Sequence, residues 1–115
     1  MHIPTEDEDC YSLVEWMEAK RLRFSHIPQE TFTRSWGIKM KNKKKGVRKG
    51  VPDYIIVHEG KLCFIEMKRA VHRLSHFTDE QREWLKALGK VPGVTAAVCY
   101  GLDEAISTLE RFLKV

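Results

Sequence analysis

The sequence predicts a three-layer α/β sandwich, a central mixed β-sheet flanked by helices, built as one domain over residues 1–115. Three observations predict it. Periodic segments follow one another as α-β-(basic stretch)-β-β-α-β-α. The two strongest strand segments, residues 53–58 (DYIIVH) and 61–68 (KLCFIEMK), are separated only by Glu59-Gly60, the spacing of a hairpin. Each is apolar on both faces, with Ile55, Val57, Leu62 and Phe64 on one side and Tyr54, Ile56, Cys63, Ile65 and Met67 on the other. Strands of that kind belong in the middle of a sheet, with helices on each side.

Taken in order, residues 6–22 read as a helix, because Cys10, Leu13, Val14 and Met17 recur at helical spacing behind Thr5, a suitable N-cap. Residues 24–27 form a short strand stopped by Pro28. The basic stretch that follows reads as loop with at most a turn of helix. After the hairpin, Thr78 to Leu88 opens with Thr-x-x-Gln and ends at Gly89, a helix with both end signals. VTAAVCY (94–100) is a further strand. Residues 102–113 close the chain as a helix with Leu102, Ala105, Ile106, Leu109 and Phe112 or Leu113 on its stripe.

Composition excludes several classes. No apolar run approaches the ~20 residues of a membrane span, and the acidic N-terminal segment lacks a signal-peptide core. Cys10, Cys63 and Cys99 are odd in number and far apart, which predicts buried free thiols and a cytoplasmic protein rather than disulfides or zinc. The net charge of +4 is unevenly spread. Arg34, Lys39, Lys41, Lys43, Lys44, Lys45, Arg48 and Lys49 form a run without a single acid, interleaved with Trp36, Ile38, Met40 and Val47 and punctuated by Gly37, Gly46 and Gly50. A run of this kind is either a solvated face or a flexible arm that follows a phosphate backbone, and the interleaved aromatic and glycines favour the arm.

The chemistry concentrates at one end of the hairpin. Glu66 and Lys68 point to the same face of their strand. If His58 faces Lys61, paired positions sum to 119 and Asp53 stands opposite Glu66; a three-residue turn would break this register. Facing carboxylates repel, so the arrangement favours a divalent cation held by Asp53 and Glu66, with the Met67 carbonyl as a further ligand and Lys68 positioning an attacking water. A lone Glu-x-Lys is common and usually marks only a salt bridge at a strand end. Gly50 and Pro52, which bend the chain before Asp53, raise its significance.

Together Gly50-Val51-Pro52-Asp53, Phe64-Ile65-Glu66-Met67-Lys68 and Thr78-Asp79-Glu80-Gln81-Arg82-Glu83-Trp84-Leu85 resemble the VRR-Nuc domain, the virus-type replication-repair nuclease branch of the PD-(D/E)XK superfamily. The resemblance covers nearly the whole chain, and its small stand-alone members are encoded by bacteriophages. It implies the restriction-endonuclease-like fold, Mg²⁺ or Mn²⁺ dependence, and hydrolysis of DNA, often by a homodimer suited to four-way junctions or flaps. It also implies that Asp53 and Glu66 are metal ligands, Lys68 the catalytic lysine, and Gln81 a helix glutamine facing the site. Gln81 has a second explanation, since Thr78-x-x-Gln81 is also a capping box. The family's acid near the start of the first helix corresponds to Glu6, Glu8 or Glu15. Glu6 shares the inward stripe with Cys10, Leu13 and Met17 and is preferred.

Arg69, His72, Arg73 and His76 follow the Glu-x-Lys strand, where they either meet bound DNA or form a solvated connector. Trp16, Trp36 and Phe77 are candidates for a dimer interface, and Trp36 is also the best base-stacking candidate. Two rivals to a structure-selective DNA endonuclease stand beside it: a non-catalytic DNA-binding module, which has no need of Asp53 opposite Glu66, and a nuclease acting on RNA.

Overall fold

A computed structural model describes residues 2–28 and 35–114. Its elements run α1 (Glu6–Ala19), β1 (Arg23–His26), α2 (Trp36–Lys45), β2 (Tyr54–His58), β3 (Lys61–Lys68), α3 (Asp79–Gly89), β4 (Val94–Tyr100) and α4 (Leu102–Leu113). The sheet order is β1-β2-β3-β4, antiparallel across the first two pairings and parallel between β3 and β4. The sheet is therefore mixed, as the sequence predicts. No helix among the described residues is long and apolar enough to cross a membrane.

The turn fixes the register. Glu59 and Gly60 both take positive φ, 49° and 74°, the twist that suits a two-residue hairpin. His58 consequently pairs with Lys61 and Tyr54 with Ile65, so positions sum to 119. On one face Tyr54, Ile56, Cys63, Ile65 and Met67 are buried beneath α1 and α4, together with Leu13, Met17, Ala105, Leu109 and Phe112. Cys63 and Cys99 lie in this core and Cys10 packs at its edge, all three as free thiols; burial pushes the Cys63 thiol up to about 12.

The other face corrects the expectation of strands buried on both sides. Val57 is 40% exposed, and Ile55, Leu62 and Phe64 are half-buried. Helix α3 packs over β4 and β3, which leaves the far end of β2 uncovered. Two boundaries also move. Helix α1 stops at Ala19 rather than Leu22, because Arg21 turns left-handed (φ 57°) and the Leu22 N–H returns to the Met17 carbonyl at 3.1 Å. The basic stretch from Trp36 to Lys45 is a helix of ten residues, not a loop. Ser35 caps its N-terminus by accepting from the Ile38 N–H at 3.3 Å, Gly46 closes it at φ 93°, and Lys43, Lys44 and Lys45 sit where the helix dipole favours cations.

Candidate active site

The site forms where the β2–β3 ladder ends. The register sets Met67 against residue 52, but that residue is proline and the chain bends away there. The Asp53 side chain takes over the pairing: its Oδ2 accepts the Met67 N–H at 2.7 Å. The Asp53 carbonyl accepts the Ile27 N–H at 2.6 Å, which ties the bend to the end of β1. Asp53 is thereby fixed at both its backbone and its side chain. The Met67 N–H and carbonyl point to the same side of the strand, toward Asp53, while the neighbouring Lys68 carbonyl turns toward β4 and accepts the Gly101 N–H at 2.8 Å.

Glu66 and Lys68 project from the face opposite the main core. Asp53, Glu66 and Lys68 are only 7%, 3% and 6% exposed. Ionisable groups are rarely buried this deeply unless paired. Burial is the first cause that holds the Glu66 carboxyl well above the ordinary carboxylate range; a hydrogen bond to Asp53 and its negative charge add to this, and Lys68 opposes it. Glu66 and Asp53 are thus a close, hydrogen-bonded carboxyl pair whose mutual repulsion a cation would relieve.

Glu6 reaches the same cluster from the first turn of α1. Its pKa is raised by partial burial and by Asp53, and lowered by Lys68. Glu8 is accounted for elsewhere, in a capping box with Thr5 and a 3.2 Å contact to His2. Glu15 is exposed. The structure therefore brings Glu6, Asp53, Glu66 and Lys68 together and leaves Glu8 and Glu15 outside.

Gln81 occupies the start of α3. Its Oε1 accepts the Thr78 N–H at 2.9 Å, and the Thr78 hydroxyl accepts the Gln81 N–H at 3.1 Å. The capping role is present and engages the side-chain oxygen of Gln81. Gly50 draws this helix terminus close to the site. A Cβ at Gly50 would lie 2.5 Å from the Glu80 carbonyl carbon and 2.7 Å from the Gln81 nitrogen, and its φ is 87°. Only glycine allows this approach.

The donor set fits a divalent cation. Two buried carboxyl groups in contact, with the Met67 carbonyl beside them, are hard oxygen ligands of the kind Mg²⁺ or Mn²⁺ takes. Among the described residues no group of three His, Cys, Asp or Glu side chains is placed to hold a metal ion by itself, so the remaining ligands would come from water and substrate.

The basic residues divide into two sets. Lys39, Lys43, Arg48 and Lys49 line one cleft with Trp36, Met40 and Val47, whereas Lys41, Lys44 and Lys45 are exposed elsewhere on α2. Arg34 lies outside the described residues. Arg69, for which the sequence leaves a DNA contact and a solvated connector both open, donates its guanidinium to the Ile3 and Pro4 carbonyls at 2.8 and 3.1 Å and latches the N-terminal segment. His72 stacks on Tyr100 at 3.7 Å between ring centroids.

Sequence reasoning missed Asp9. It is buried on α1 with an Oδ2 that has no hydrogen-bond partner among the described residues, and burial raises its pKa. The signal was available, since Asp9, Leu13 and Met17 recur every four residues on the inward stripe.

Comparison with known proteins agrees with this architecture. Residues 2–103 match the sequence model of the VRR-NUC domain. A solved structure described as a VRR_NUC domain protein superimposes with a TM-score of 0.74 at 27% identity, covering 98% of this chain and 91% of that one. No curated protein matches the chain.

Proposed function

We propose that this chain, which belongs to the VRR-NUC domain family, is a metal-dependent endonuclease that hydrolyses DNA phosphodiesters at branched structures such as four-way junctions or flaps. The family supplies a nuclease-type fold whose members generally use a divalent metal, and a nuclease domain of this kind implies DNA as substrate. The observation that carries the reading is the burial of Asp53, Glu66 and Lys68 at one ladder end, with the two carboxyl groups in contact. Such an arrangement costs stability and earns its place only through chemistry.

Asp53, Glu66 and the Met67 carbonyl would hold Mg²⁺ or Mn²⁺, which supplies charge neutralisation at the phosphate when bound. Lys68, on the same strand face as Glu66, orients the attacking water and offsets the negative charge that grows in the transition state. Glu6 adds an acceptor for that water from the first turn of α1. Gln81, its carbonyl oxygen fixed by Thr78, directs its amide nitrogen to a phosphate oxygen. The exposed lysines of α2 with Arg48 and Lys49 supply affinity without base information, which favours recognition of shape over sequence. Cleavage of two strands at a symmetric junction requires two protomers about a twofold axis, and we propose a homodimer for that reason.

The test is cleavage of labelled junction, flap and linear duplex in Mg²⁺, Mn²⁺ or EDTA, beside Glu66→Ala and Lys68→Ala. Metal-dependent cuts in branched DNA, reduced about 100-fold or more in both variants with binding retained, are expected. A wild type that binds these DNAs and never cuts, in any metal, rejects the reading in favour of a non-catalytic binding module.

A further inference from the structure

Helix α2 presents an unusual surface. None of its residues is buried, and Trp36, at its first position, is 73% exposed. Trp36, Lys39, Met40 and Lys43 fall at i, i+3, i+4 and i+7, so one helix face carries both apolar and cationic groups. This face and the segment after the helix enclose a cleft of about 570 Å³, with Trp36, Met40 and Val47 as its apolar lining and Lys39, Lys43, Arg48 and Lys49 as its charged lining. A second cleft of about 460 Å³ shares Arg48 and Lys49 and continues along α3 past Trp84.

Charge complementarity selects a polyanion, since α2 contains no acidic residue. The indole narrows the choice further. In duplex DNA the base faces are already stacked on one another, whereas an unpaired base offers a free face to an aromatic side chain. We infer that the α2 groove binds an unpaired DNA strand, with a base stacked on Trp36 and the phosphates held by Lys39, Lys43, Arg48 and Lys49. Lys49 lies four residue steps before Asp53, a reach of at most about 14 Å, or roughly four nucleotide steps of ~3.4 Å. The Lys49 end of the groove thus lies within about four nucleotides of the reactive centre. That placement rests on the nuclease reading; the binding itself does not depend on cleavage.

The experiment measures binding of the full chain in EDTA to a labelled 12-mer of dT, a 12-mer of rU, a DNA flap and a blunt DNA duplex. Trp36→Ala and Trp36→Phe are compared with wild type. Trp36→Ala is expected to weaken binding of dT and of the flap by about 5- to 100-fold, with Trp36→Phe retaining most of the affinity and the blunt duplex little affected. Absence of dT binding by the wild type, an unchanged affinity in Trp36→Ala, or an equal loss on the blunt duplex overturns the inference, as does a preference for rU. A lower solution mass for Trp36→Ala by light scattering would assign the face to a second copy and also overturn it. Failure of metal-dependent cleavage with this binding pattern intact would reject the nuclease reading and leave the single-strand site standing.

Discussion

Replacing Glu66 with glutamine tests the electrostatics of the site directly. The amide has nearly the same shape and can donate to Asp53 as the protonated acid does, but it has no proton to lose. In the wild type without metal, burial and Asp53 hold the Glu66 pKa above its ordinary value of 4.5. The folded protein therefore keeps a proton that the unfolded chain releases. Stability is full below pH 4.5 and falls as the pH rises toward the folded pKa, by at most about 1.4 kcal/mol per pH unit for one proton. Between pH 5.5 and 7.5 the wild type is expected to lose up to about 2.7 kcal/mol relative to Glu66→Gln. At about 4 °C per kcal/mol for a domain of this size, the melting temperatures would diverge by up to about 10 °C. Urea unfolding followed by circular dichroism in EDTA at pH 5.5, 6.5 and 7.5 measures the divergence. Saturating Mg²⁺ should reverse it, because metal binds the deprotonated pair and adds about 2.7 kcal/mol to the wild type at a hundred times its dissociation constant. Parallel pH profiles for the two proteins in EDTA would refute the reasoning, since Glu66 would then hold no extra proton and the pressure toward a cation would be absent.

Three further outcomes are expected. Gly50→Ala should destabilise the fold by more than about 1 kcal/mol in urea titration, because a Cβ at φ 87° meets the α3 backbone at 2.5 Å. Thr78→Ala should cost about 1 kcal/mol of stability through the lost helix cap, while Gln81→Glu should keep the cap and lower cleavage, which separates the two roles of Gln81 in paired unfolding and nuclease assays. Replacing Lys39 or Arg48 with alanine should weaken binding to single-stranded DNAs of unrelated sequence alike and flatten the slope of log affinity against log salt by about 0.7 for each phosphate contact removed, read by anisotropy from 50 to 200 mM salt.

The hairpin was legible because it is governed locally. A two-residue turn with glycine at its second position fixes the pairing, and alternation then sets Glu66 and Lys68 on one face with Asp53 across from them. Helix α2 was not legible from periodicity, because it buries nothing and so has no stripe that a core would impose. Its signals were Ser35 and Gly46 at its ends, which carry less weight than hydrophobic spacing unless they are sought. The end of α1 was overrun for a related reason: the left-handed residue that stops it is Arg21, with no glycine to announce the turn. The fate of Arg69 depends on a contact between distant segments, its guanidinium reaching the N-terminal carbonyls. Spacing along the chain contains no record of it.

Strand β3 joins the stable and the reactive parts of the molecule. Its odd positions, Cys63, Ile65 and Met67, are wholly buried under α1 and α4, while Glu66 and Lys68 alternate with them on the opposite face. A side chain one residue from a packed core position inherits that position's rigidity, so the catalytic candidates need few hydrogen bonds of their own to be held in place. Asp53 comes from a different device, a proline bend that hands a ladder position to a side chain. Helix α3 is brought in by a glycine that no other residue can replace without moving backbone. Each device breaks a local rule of stability: buried charge, an interrupted ladder, a left-handed approach to a helix terminus. Three such departures converging within a few residues of Asp53 are a stronger argument for chemistry there than any one of them, because a fold selected for stability alone would have relieved them separately.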